Sequence, residues 1–94
     1  MSKTPLFTAK PVQLTIAGVD FTFAPSVMEA NNYINEMTIT DKIVPAYNYL
    51  TRSVEAKQKE QLKELLDNVP GLTQELYQTV STAAKGSITI TLKN

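Results

Sequence analysis

The chain reads as a small α+β domain with the order β-β-α-α-α-α-β. Three observations predict this. Apolar residues recur at every second position in two runs near the N-terminus and in one run at the C-terminus. Between them, apolar residues recur at three- and four-residue spacing in about four segments. Pro and Gly fall at the junctions, as in Pro70-Gly71. Strands at both chain ends are expected to meet in one small antiparallel or mixed sheet, with the helices packed on its apolar face.

Residues 1–10 hold Pro5 and Phe7 among mostly polar neighbours. They are expected to form a flexible arm, and residues 11–94 a single domain. The arm's functional reading is a peptide that docks Phe7 on a neighbour; its plainer reading is a frayed terminus. The stretch PVQLTIAGVDFTFAP then carries the first strand pair. Val12, Leu14 and Ile16 alternate with Gln13 and Thr15; Val19, Phe21 and Phe23 alternate with Asp20 and Thr22. A two-residue turn at Ala17-Gly18 pairs Ile16 with Val19, Leu14 with Phe21 and Val12 with Phe23, so that six apolar side chains share one face. Ala-Gly is a weaker turn pair than Asn-Gly, which leaves a shifted turn as the alternative.

Ser26 and Glu29 form a capping box at the start of PSVMEANNYINEM, where Ala30, Tyr33, Ile34 and Met37 fall at helical spacing. Asp41 is placed to cap a second helix, and Pro45 lies early enough in it to be tolerated. Ile43, Tyr47, Leu50 and Val54 form that helix's expected stripe. Residues two apart on a helix do not share a side, so Tyr49 is expected to lie off the stripe as a contact residue. An ordinary half-exposed tyrosine is the plainer reading.

The segment SVEAKQKEQLKELLDNV is helical by propensity. Leu62, Leu65, Leu66 and Val69 make an apolar stripe in its second half alone. If it continues the preceding helix, its polar first half projects from the body. After Pro70-Gly71, Leu72, Leu76, Val80 and Ala83 form the stripe of a fourth helix, and Gly86 suits its end. The closing stretch KGSITITLKN alternates again, and Ile88, Ile90 and Leu92 are expected to complete the core face begun by the hairpin.

Composition excludes several kinds of chemistry. The 94 residues include no cysteine and no histidine. That removes disulfides, thiolate metal sites, Cys nucleophiles, the commonest general base and the commonest transition-metal ligand. The three glycines, Gly18, Gly71 and Gly86, are too far apart to cradle a phosphate. Thr82 and Lys85 have the spacing of a nucleophile and its lysine, but a lysine at a helix C-terminus answers the dipole. Glu60 and Glu64 sit among Lys57, Lys59 and Lys63, the pattern of a solvated helix face. No catalytic, cofactor-binding or metal-ligating residue is therefore expected, and no small-molecule substrate.

Nine basic residues balance nine acidic ones, and Arg52 is the single arginine. Phosphate backbones and anionic membranes, which need clustered cations, are not expected partners. The opening MSKTPLFTAKP lacks the apolar core of a signal peptide, and no run is long enough to span a bilayer; a cytoplasmic protein is expected. What remains is surface for proteins: Tyr49, Phe7, the Thr face of the sheet and any open strand edge.

The segment LTIAGVDFTFAPSVMEANNYINEM, a short strand pair feeding a capped helix, resembles the opening of a family of small phage tail assembly chaperones. The resemblance covers the chain from about Pro11 onward. It implies a non-enzymatic role in building a phage or prophage tail. Such proteins bind the tape measure protein, keep it soluble and extended, help recruit tail tube subunits, and are absent from the mature virion. Self-association into a homo-oligomer fits that work. The family supplies no catalytic or contact residue to carry over. The alternative is a small cytoplasmic interaction or adaptor module of phage or bacterial origin with another partner.

Overall fold

The computed structural model describes residues 10–86, 88 and 90–93. Of the expected arm, residues 1–10, all but Lys10 lie outside them, Phe7 included. The described chain forms β1 (Val12–Ile16), β2 (Val19–Phe23), α1 (Val27–Glu36), α2 (Ile43–Ser53), a 3-10 turn (Ala56–Gln58), α3 (Lys59–Asn68) and α4 (Leu72–Lys85).

β1 and β2 pair antiparallel in the expected register, Val12 with Phe23, Leu14 with Phe21 and Ile16 with Val19. Both turn residues have positive φ, Ala17 at 52° and Gly18 at 78°, the I′ pattern whose twist matches the flanking strands. Glycine takes that conformation freely, but alanine's Cβ crowds the following carbonyl at a cost of about 1–2 kcal/mol. Ala17→Asn is therefore expected to stabilise the domain by about 1 kcal/mol and raise Tm by about 4–8 °C in a thermal melt. An unchanged Tm would show that the turn carries no such strain.

The helices begin and end where local chemistry directs. Glu29 N–H donates to Ser26 Oγ at 3.2 Å, capping α1, and Val44 N–H donates to Asp41 Oδ1 at 3.3 Å at the entry to α2. Gly71 and Gly86, at φ 78° and 68°, bracket α4. The core joins Val12, Phe21 and Phe23 of the hairpin to Tyr49, Leu50 and Val54, Leu62 and Leu66, and Leu76 and Val80. α2 is the central helix and packs against α1, α3 and α4. Each fully buried Phe or Leu contributes about 1.5–3 kcal/mol of transfer free energy.

Two expectations are corrected here. The expected C-terminal strand, part of which lies outside the described residues, is not shown: among the described residues the only sheet is β1-β2. Ile88, Ile90 and Leu92 are 40%, 89% and 87% exposed and do not complete the core face. The outer edge of β2 is already filled. Ala24 N–H donates to the Ser53 carbonyl and Glu55 N–H to the Thr22 carbonyl, and Phe23 bridges Val54. Gln58 completes that edge, accepting from Thr22 N–H at 3.0 Å and donating to the Asp20 carbonyl. α4 itself lies against β1. Alternation is a local property, whereas pairing needs an edge that the rest of the fold leaves open.

The same contacts correct the second expectation. The polar stretch before α3 does not project as a continuation of α2. The chain is extended at Val54 and then closes a 3-10 turn that presents Gln58 to the hairpin.

Candidate protein-interaction surface

α1 contains no buried residue. Its Ser26 cap, its aromatic Tyr33 and two carboxylates hold it in place instead. Arg52 Nη1 lies 3.3 Å from Glu36 Oε2 and 3.8 Å from Glu29 Oε1, and Asn48 Nδ2 donates to Glu36 Oε1 at 3.3 Å. The chain's one arginine is thus engaged between two acids of its own fold.

Held this way, α1 leaves large apolar side chains in water. Val27 and Met28 are mostly exposed, as is Ile34 at 63%, with Met37 next to them. The run continues through Ile39, Ile43 and Val44 into the first turn of α2. Single exposed apolar residues are ordinary, but a run of this length marks an interaction surface. Ile34 and Met37 sit at helical spacing and Ile43 on the expected stripe of the second helix, yet all three are exposed. Nothing in the sequence distinguishes a stripe that faces the core from one that faces a partner.

Beside this surface the three tyrosines Tyr33, Tyr49 and Tyr77 form a cluster. Tyr33 and Tyr77 stack at 4.1 Å between centroids, and Tyr49 meets both edge-on, at 6.4 and 4.9 Å. Such pairs add about 0.5–1.5 kcal/mol each beyond burial. Tyr49 and Tyr77 floor a cavity of about 410 Å³ between the N-terminal end of α1 and the C-terminal end of α4. Pro25, Val27, Ala30, Ala84 and Ile88 wall it, and Lys10 and Lys85 stand among its lining.

Of the stripe expected on α2, the structure buries Leu50 and Val54 and packs Tyr47 against the core, but leaves Ile43 out and takes Tyr49 in. Tyr49 is 4% exposed and belongs to the core, while Ile43 is 54% exposed. Tyr49 reaches a concave surface, as a floor residue of the cavity, rather than standing on an outer helix face. The expected and observed faces of α2 share Leu50, with Tyr47 at the margin, and differ in Ile43 against Tyr49. Ala46, Thr51 and Ser53, small and buried, let α2 approach its neighbours closely and decide between them.

Burial pushes the Tyr49 phenol up to about 12, with the neighbouring Tyr77 and Glu29 adding to the shift. Tyr77 is raised by burial and by Tyr33, and Tyr47 by burial and by Asp67. The three phenols stay neutral at physiological pH and offer aromatic faces and O–H groups, not nucleophiles. Because the folded state favours their protonated form, this stability is present in full below about pH 10. Tyr49's share is lost as pH rises through about 12. Urea midpoints are expected to be flat from neutral pH to about 9 and to fall between 10 and 12, and Tyr49→Phe is expected to flatten that fall. A midpoint independent of pH over that window would contradict the burial of Tyr49.

Among the described residues no group of three or more acidic side chains is placed to hold a metal ion. No described helix is long and apolar enough to cross a membrane. An apolar helix surface thus lies beside an aromatic-floored cavity. Over residues 12–94 the chain matches the family model described as phage tail assembly chaperone, and it belongs to that family. It is also 36% identical, over 83 residues, to an uncharacterized 11.3 kDa protein in the lys 3′ region of Haemophilus phage HP1 (strain HP1c1), covering 88% of this chain and 80% of that one. No solved structure matches the chain.

Proposed function

We propose that the protein is a non-enzymatic chaperone that binds a tape measure protein in the host cytoplasm. It keeps that protein soluble and helps recruit tail tube subunits around it, and it is absent from the mature virion. The observation that carries this reading is the exposed apolar run from Val27 to Val44. A long helical client exposes apolar residues one turn apart, and an apolar helix face of matching spacing can cover them. The balanced charge of the chain supports the same reading, since a surface with no net charge neither repels the client at long range nor attracts nucleic acid.

Co-expression with a tape measure protein from the same phage or prophage tests the proposal. The expected result is a soluble complex that survives gel filtration, from a client that is insoluble alone. A client equally insoluble with and without the chaperone would overturn it.

A further inference from the structure

We propose that the tyrosine-floored cavity is an anchor pocket for one kind of partner segment: a helix that inserts a large apolar side chain and carries carboxylates one turn away from it. The identity of the partner rests on the chaperone reading; the chemistry of the pocket rests on its lining. α1 and α4 both pack on α2, and the stack of Tyr33 on Tyr77 joins them at one level. Beyond that stack, toward the N-terminal end of α1 and the C-terminal end of α4, the cavity opens between them. Its volume of about 410 Å³ falls within the roughly 300–1,000 Å³ of pockets that take a compact apolar group.

Two features of the lining select the occupant. The Tyr49 and Tyr77 rings, with Val27, Ala30 and Ala84, favour an apolar group. The charge around it has one sign. Among the described residues Lys10 and Lys85 line the cavity, no acid does, and neither ammonium lies within ion-pair distance of a carboxylate. The two acids of α1, Glu29 and Glu36, turn instead to Arg52. An apolar anchor flanked by acids satisfies both features, whereas one flanked by Lys or Arg meets repulsion at the mouth. Val27 belongs both to the cavity wall and to the exposed apolar run. A helix lying along that run therefore passes the cavity, and its residues three or four apart face the pocket together.

Two labelled, end-capped helical peptides test this on the full-length chain. One carries a central Phe with Glu three and four residues to either side; the other has Lys in place of each Glu. In fluorescence anisotropy the Glu peptide is expected to bind at least about fivefold more tightly at low salt. The preference should shrink in about 1 M salt, and it should reverse in the double variant Lys10→Glu with Lys85→Glu, at two exposed positions. Ala30→Trp fills the cavity mouth, and the chain has no tryptophan of its own. Its emission should be blue-shifted from that of the urea-unfolded chain, and it should bind the Glu peptide at least about tenfold more weakly. Equal affinity for the two peptides, or binding of neither, would overturn the proposal. So would Ala30→Trp emission at the unfolded position in a chain that circular dichroism shows folded. Peptide binding that disappears as the wild type self-associates would assign the pocket to a second copy and overturn it too. The tape measure protein separates the two readings. Equal binding to wild type and Ala30→Trp would overturn the pocket and leave the chaperone reading; peptide discrimination without tape measure binding would do the reverse.

Discussion

Phe23→Ala is expected to lower the thermal midpoint by at least about 12 °C, through a loss of about 3–5 kcal/mol. Phe23 is fully buried. It pairs across the hairpin with Val12, bridges Val54 after α2, and lies 6.5 Å from the Phe21 ring. Removing it leaves a cavity at the one place where the sheet, α2 and the segment leading to α3 meet, so no single element can relax inward to fill it. A domain of this size has about 5–14 kcal/mol of stability in total, and the variant should be partly unfolded at 37 °C. Phe23→Leu, which keeps most of the volume, is expected to cost less than about 1.5 kcal/mol. A melting curve for Phe23→Ala within a few degrees of wild type would refute the placement of this residue.

The second large effect concerns binding and leaves the fold alone. Met28→Lys with Ile34→Lys should melt within about 0.5 kcal/mol of wild type, because both side chains are more than half exposed. The same double variant should bind the tape measure protein at least about 30-fold more weakly, since a desolvated interface residue is worth about 2 kcal/mol or more. Titration calorimetry, or pull-down from the co-expression experiment, gives the readout. Undiminished binding would place the interface elsewhere on the molecule. A large fall in Tm would show that the two side chains serve packing instead.

The parts of the fold legible in the sequence are those decided between neighbours in the chain. The hairpin register followed from two period-2 runs facing a two-residue turn, because a shift of one residue would have put one strand's three apolar side chains on the face opposite the other three. Ser26, Gly71 and Gly86 marked helix limits through hydrogen bonds or backbone angles that act over three or four residues. The candidate surface was less legible. Helical spacing grouped Ile34 with Met37 and put Ile43 on the stripe of α2, and the structure leaves all three in water. Spacing reports that a helix has an apolar side; it carries no information about whether that side meets the rest of the chain or another protein.

The sequence by itself therefore determined the α+β class, the hairpin with its pairing, the four helices and the lack of the residue types on which much enzyme chemistry depends. Each follows from periodicity, capping or composition, which are properties of short stretches. The tertiary structure alone decided that Tyr49 faces the core and Ile43 the solvent, that Gln58 and residues 53–55 fill the outer edge of β2, and that Ile90 and Leu92 stay out of the core. Those outcomes depend on which surfaces compete for the same space. An edge occupied by Glu55 and Gln58 is closed to a strand more than 30 residues further along, however well that strand alternates.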